Sequence, residues 1–139
     1  MQVKDVMTTK IKLIHPDAAI KEAADEMKNF DVGALPVVDN DKPVGMLTDR
    51  DITLRVVSEG NDPTNVNVKD AMTAEVYTVY EDQDVEELIN VMKDKQIRRV
   101  VVTDRNDKVT GICSLGDLAT STKTETGGDV LRKISQPGQ

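Results

Sequence analysis

The strongest constraint on this chain is an internal repeat, because residues 3–8 (VKDVMT) return as residues 68–73 (VKDAMT) at a shift of 65. Residues 3–39 set against 68–104 give 11 identities in 37 positions, among them Met27 with Met92, Lys28 with Lys93 and Asp39 with Asp104. One extra residue near Arg105 moves the shift to 66; NDK then repeats, Gly45 matches Gly111 and Asp51 matches Asp117. Two repeats of about 65 residues are too few for a solenoid and short for independent domains, so they are expected to pack as pseudo-symmetric halves of one module. The sequence divides into repeat 1 (1–60), a linker (61–65) inside the turn-rich stretch EGNDPTN, repeat 2 (66–120) and a polar tail (121–139). Within the tail, Val130, Leu131 and Ile134 of DVLRKI fit one apolar face of a short docking helix.

Each half changes its hydrophobic period in the same order. Ile20, Ala23, Ala24 and Met27 recur at helical spacing, as do Val85, Leu88, Ile89 and Met92, with Asp17 and Asp82 placed as N-caps. Short β-rich runs follow at 35–38 and 100–103, then polar turns, then second apolar runs at 44–47 and 110–113. A helix at 49–58 and a shorter one near 115–119 complete each half. The expected fold class is α+β, with each repeat running β-α-β-β-α and the two repeats packed through their sheets into one module.

The inventory of residue types excludes most chemistry. The only cysteine is Cys113, inside an apolar run, and the only histidine is His15, so neither a disulfide nor a zinc set nor a Ser-His-Asp or Cys-His arrangement is expected. The eight glycines form neither GxGxxG nor a P-loop. The acidic turns starting at Asp39 and Asp104 place Pro43 and Lys108 where a calcium loop needs an oxygen ligand, so both are expected to be β-turns without metal. A net charge of −7 opposes binding to nucleic acid and to anionic membranes. No apolar run is long enough for a membrane span and MQVKDVMTTK lacks a secretory h-region, which gives a cytoplasmic expectation. With aromatics at 2%, the core is expected to be aliphatic, Met27 and Met92 included.

One polar constellation remains, and it occurs twice. GMLTDRDI (45–52) and GICSLGDL (111–118) share a glycine, two apolar residues, Thr or Ser, and an Asp three residues later. Thr48 and Ser114 fit N-caps, and Asp51 and Asp117 fit the acidic member of a capping box. The same geometry places a hydroxyl and a carboxylate at a strand-to-helix corner, where free N–H groups attract phosphate and a carboxylate accepts ribose hydroxyls.

The doubled pattern resembles the tandem CBS domain pair, named for cystathionine β-synthase and also called a Bateman module. The resemblance covers roughly residues 3–119 and rests on VKDVMT and VKDAMT, on VGALPVVD and IRRVVVTD before the turn, and on GMLTDRDI and GICSLGDL after it. It implies a regulatory sensor with no catalytic residues, no metal and no obligatory cofactor. Its two clefts between the repeats would hold adenosine-containing ligands: AMP, ADP, ATP, NAD(H) or S-adenosylmethionine. Carried onto this sequence, the better site would use Asp117 for the ribose, Ser114 beside it, and Ile112, Val32, Gly33, Lys10 and Ile11 around the base. Arg98 and Arg99 would face the phosphates, which favours a phosphorylated nucleoside over S-adenosylmethionine. The second site would use Asp51 and Thr48, lined by Met46, Val76 and Ile97. Because Gly33 and Ala34 stand where the other repeat has Arg98 and Arg99, it would need Arg50 or Arg98 as its anchor. The resemblance also implies a homodimer formed through helices, with Arg55, Val56 and Val57 as candidate contacts, and a signal passed to a separate effector protein. The competing expectation is a dimeric interaction or structural module whose ligand clefts are degenerate.

Overall fold

The structure is a computed structural model that describes residues 1–121; the expected docking helix at Val130, Leu131 and Ile134 lies outside the described residues. The chain forms two compact units whose boundaries do not follow the repeats. One is the contiguous stretch Ile11–Val76; the other joins Met1–Lys10 to the chain from Tyr77 onward. The opening motif of each repeat is therefore built into the unit that carries the other repeat's strands.

In the contiguous unit, α1 (Ile20–Phe30) buries Ile20, Ala23 and Met27 on one face. Strands β1 (Ala34–Asp39) and β2 (Lys42–Thr48) pair antiparallel, and the hairpin pairs Asp39 with Lys42 across Asn40 and Asp41. Both loop residues have positive φ, 50° and 66°, as a two-residue turn matching the strand twist requires. A bulge at Val37/Val38 shifts the register so that Val37 faces Gly45 and Val38 faces Pro43. Helix α2 (Asp49–Ile52) continues into a π-helical turn at Thr53–Val57, where the Ser58 N–H reaches back five residues to the Thr53 carbonyl. That turn buries Val56 while Leu54 and Val57 stand 47% and 63% exposed. The unit closes with α3 (Val68–Ala71), whose Val68 and Ala71 join the core with Leu35, Val37 and Leu47.

The other unit carries β3 (Thr78–Tyr80), α4 (Val85–Lys95), β4 (Arg99–Thr103), β5 (Val109–Ser114) and α5 (Leu115–Ser121). Its sheet has the order β3-β4-β5, with β3 parallel to β4 and β4 antiparallel to β5. A short 3₁₀ turn at Val3–Asp5 buries Val3 in a cluster with Leu88, Met92, Val100, Val102 and Leu118. The core of both units is aliphatic, as expected, and both helix methionines are in it.

Three expectations need correction. The first strand of repeat 1 is reduced to a single parallel bridge between Ile14 and Val37. Its counterpart extends to both sides because the Val101 N–H donates to the Tyr77 carbonyl and the Glu81 N–H to the Thr103 carbonyl; Pro36 and Pro16 stand at the positions of Val101 and Glu81 and have no N–H to donate. Asp17 and Asp82 are not caps. The N-cap residues are Ala19 and Asp84; Asp84 accepts from the Glu86 N–H, whereas the first amides of α1 donate to the Val66 and Pro63 carbonyls. Asp17 instead pairs with Lys69 at 3.0 Å and Asp82 with Arg105 at 2.9 Å, and these cations hold both carboxyls below the ordinary range. Finally, 59–65 is more than a tether, since its Pro63 carbonyl closes the start of α1 and Asp62 accepts from both the backbone and hydroxyl of Thr64.

Candidate functional site

Each unit presents a strand-to-helix corner with an Asp at its centre. In the contiguous unit the Thr48 hydroxyl accepts from the Asp51 N–H at 3.1 Å and Asp51 Oδ2 accepts from the Thr48 N–H at 3.0 Å, a complete capping box. In the other unit Asp117 Oδ2 accepts from the Ser114 N–H at 2.9 Å and the Ser114 hydroxyl accepts from the Asp117 N–H at 3.0 Å. In both boxes the carboxylate reaches the cap through Oδ2, and Oδ1 is left to other partners.

The expected free amides are taken up at the corner of the contiguous unit, and one is left at the other. Beyond the two capping-box amides, the Asp49 N–H donates to the Gly33 carbonyl at 3.0 Å and the Arg50 N–H to Asp49 Oδ1 at 2.9 Å. At the other corner the Leu115 N–H donates to the Arg98 carbonyl at 2.8 Å. Amides already satisfied by protein acceptors have no bond to offer an anion, whereas the Gly116 N–H has no acceptor among the described residues and stays available beside Arg98 and Arg99.

The two corners meet different groups. Thr8, which closes the first opening motif, exchanges backbone bonds with Ile112 at 2.8 and 3.1 Å and donates its hydroxyl to Asp117 Oδ2 at 3.2 Å. Thr73, its counterpart, makes the same exchange with Met46 at 2.9 Å both ways. The carboxylate of Asp51 instead has Arg55 beside it, Nη1 lying 4.0 Å from Oδ1, while the same Nη1 donates to the Ala71 and Met72 carbonyls. Arg55 is thus tied to the end of α3. Val56 is core, and of the three residues named as dimer contacts Val57 is the apolar one exposed.

Both approaches depend on glycine. A Cβ at Gly45 would lie 2.6 Å from Met72 Sδ and 2.8 Å from the Thr73 carbonyl; at Gly111 it would lie 2.7 Å from Met7 Sδ and 2.9 Å from the Thr8 carbonyl.

The residues assigned by resemblance divide over the two units. The contiguous unit holds Ile11, Val32, Gly33, Met46, Thr48, Arg50, Asp51 and Val76. There the β1–β2 register and the Gly33 carbonyl bring Gly33, Met46, Thr48 and Asp51 to one corner, Arg50 stands exposed, and Ile11, Val32 and Val76 are half-buried. The other unit holds Lys10, Ile97, Arg98, Arg99, Ile112, Ser114 and Asp117. Arg99 pairs with Ser114 across β4 and β5, which sets it beside the Asp117 corner together with Ile112 and Arg98. Arg98, Arg99 and Lys10 are exposed, and neither guanidinium has an ion pair or hydrogen-bond partner among the described residues. Ile97 packs half-buried on the core. Thr8, Thr73 and Arg55 were missed as corner residues, although the repeated Met-Thr of the opening motifs was in plain sight.

Cys113 and His15 belong to different units. Cys113 is fully buried, and desolvation with the nearby Asp117 charge pushes its thiol up to about 12. His15 is exposed beside Asp17 and Asp39. Among the described residues no cluster of three or more His, Cys, Asp or Glu side chains is placed to hold a metal ion, and no helix is long and apolar enough to cross a membrane.

Comparison with known proteins places this architecture. The family model of the CBS domain matches residues 3–58 and again 68–122, and the chain belongs to the CBS-domain family. It is 41% identical over 134 residues to the CBS domain-containing protein YhcV of Bacillus subtilis, covering 96% of this chain and 94% of that protein. Among solved structures it is similar to Hypoxic Response Protein I with two coordinated zinc ions, at TM-score 0.77 and 31% identity over 88% of this chain and 100% of that one. It is similar also to the CBS domain pair of protein MJ0100 in complex with 5-methylthioadenosine and S-adenosyl-L-methionine, at TM-score 0.74 and 28% identity over 86% and 98%.

Proposed function

We propose that this chain is a non-catalytic regulatory module, in the cytoplasm, that binds an adenosine-containing ligand, AMP, ADP, ATP or NAD(H), and signals to a separate effector protein as a homodimer. The observation that carries the reading is the doubled corner. In each unit an Asp supports its own cap through Oδ2, which leaves Oδ1 for a ribose hydroxyl, and at the Asp117 corner two exposed arginines have no partner among the described residues. A chain of net charge −7 attracts an anionic ligand only through such a local cluster. The adenosine ligands of the MJ0100 domain pair support the ligand class. Two site sets are proposed: Lys10, Ile11, Val32, Gly33, Arg98, Arg99, Ile112, Ser114 and Asp117 for the better site, and Met46, Thr48, Arg50, Asp51, Val76, Ile97 and Arg98 for the second. The mechanism is a shift of population toward the state that binds ligand more tightly.

The test is thermal unfolding with AMP, ADP, ATP, NADH and S-adenosylmethionine near millimolar concentration. A ligand at about 100 times its Kd adds about 2.7 kcal/mol and moves the midpoint by several degrees. Calorimetry on folded Asp117→Ala is expected to lose most of the binding and Asp51→Ala less; an equal or reversed effect overturns the ranking. Exposed Leu54 and Val57 favour a second reading, a dimeric interaction module with degenerate clefts. That reading prevails if no ligand moves the midpoint while the protein sediments as a dimer.

A further inference from the structure

We propose that Thr8 is a specificity-determining residue of the Asp117 corner, whose hydroxyl occupies a carboxylate oxygen that a vicinal diol must take over. The inference rests on the adenosine-ligand reading and deepens it. Asp117 Oδ2 already accepts two bonds, from the Ser114 N–H at 2.9 Å and from the Thr8 hydroxyl at 3.2 Å. An sp² carboxylate oxygen has two lone-pair directions, so this oxygen is full, whereas Oδ1 carries no bond among the described residues. A ribose offering two hydroxyls bidentately needs both oxygens. It therefore competes with Thr8, while a sugar offering one hydroxyl uses Oδ1 alone and leaves Thr8 in place.

The position of the Thr8 hydroxyl is not incidental. The Thr8 backbone is fixed on both sides of Ile112 by two hydrogen bonds, and Gly111 leaves no gap beneath Met7 and Thr8. The hydroxyl is thus held at the carboxylate by a segment 109 residues away in sequence. The corner of the contiguous unit lacks this competitor: Thr73 makes the same backbone exchange with Met46, but the Asp51 carboxylate faces Arg55 at 4.0 Å rather than a threonine hydroxyl. The two corners consequently read sugars differently, and the difference lies in Thr8 and Arg55.

The experiment compares AMP with 2′-deoxy-AMP by calorimetry in an Asp51→Ala background, so that only the Asp117 corner is read. With Thr8 present the two nucleotides are expected to bind within about threefold of each other, because the second hydroxyl exchanges one hydrogen bond for another. Thr8→Val, which keeps the shape and removes the donor, is expected to tighten AMP by about fivefold and leave 2′-deoxy-AMP unchanged, and Thr8→Ser to restore the native ratio. A merely structural role for Thr8 would move both nucleotides together. An unchanged ratio in Thr8→Val, or an equal loss of both nucleotides, overturns the proposal while leaving the adenosine reading intact. Binding of neither nucleotide by any variant overturns the adenosine reading and this role with it. A ligand-free cycle checks the bond itself: the midpoint losses of Thr8→Val and Asp117→Asn are expected to be less than additive in the double variant, and additive losses overturn it.

Discussion

At Gly45 and Gly111 a hydrogen atom stands where any side chain would drive into a methionine thioether and a backbone carbonyl. A carbonyl held in a two-bond bridge does not move aside as a side-chain tip does, so Gly45→Ala and Gly111→Ala are each expected to lose about 1–3 kcal/mol in urea unfolding. Glycine looked like part of a corner motif in the sequence; in the fold it serves the segment that lies over it. Cys113 carries a second prediction at this scale. With its thiol buried and pushed up to about 12, the native protein is expected to resist an aromatic disulfide reagent at pH 8 and to react only on unfolding. Because the folded value lies above the unfolded one near 8.5, the thiol favours folding below that value and progressively ceases to as pH rises beyond it. Reaction of the native protein at the rate of a free thiol would refute the burial.

Among the elements, α1 and α4 end alike, on residues in the left-handed region: Asp31 at φ 54° and Gln96 at φ 53°. Asp31 adds a negative charge at the negative end of α1, so Asp31→Gly is expected to gain about 1 kcal/mol, visible as a midpoint a few degrees higher. The turns that precede the helices carry the acid response. Asp17 is held low by its hydrogen bond from Lys69 and Asp82 by its bond from Arg105. A lowered carboxyl contributes stability that is complete above the unfolded value of about 3.9 and is lost as pH falls through the folded one. Asp17→Asn and Asp82→Asn should therefore flatten the acid limb below about pH 4 in low salt, an effect that vanishes at 1 M salt because both pairs are exposed. What the sequence made legible here is local. Apolar spacing located both long helices and all four hairpin strands, and the Thr/Ser-x-x-Asp spacing located both capping boxes. The roles of Asp17 and Asp82 were not legible, since their partners lie 52 and 23 residues away. Neither was the loss of the strand around Ile14, which turns on two N–H groups missing at Pro16 and Pro36.

For the whole molecule, the repeat announced two halves, and two compact units are found, but the cut falls elsewhere. Similarity of sequence marks descent of a segment, whereas compactness depends on which segment fills which notch; VKDVMT and VKDAMT are so alike that nothing local tells which glycine each will cover. Thr8 escaped notice for the same reason, its partner Asp117 being 109 residues distant. The division makes a prediction about fragments. Residues 11–76 contain one entire core, whereas residues 1–65 lack Val68 and Ala71 and carry an opening motif with nothing to cover. The 11–76 fragment is expected to show helical circular dichroism and a cooperative, if marginal, unfolding transition. The 1–65 fragment is expected to show neither, and the reverse result would refute the exchange of segments.

The exchange also sets a timetable for synthesis. The stretch Ile11–Val76 has every residue of its core once Val76 has cleared the ribosome, but Met1–Lys10, translated before any of it, finds its partners only when Glu81–Val85 and then Ile112 emerge. We hypothesise that residues 1–10, made before the contiguous unit, settle after it, with Val3 and Val6 unburied while that unit forms. Stalled nascent chains ending near residue 110 should then be cut by protease within the first ten residues and resist it between 11 and 76. Protection of that leading segment before β5 exists would show that it finds another place to wait.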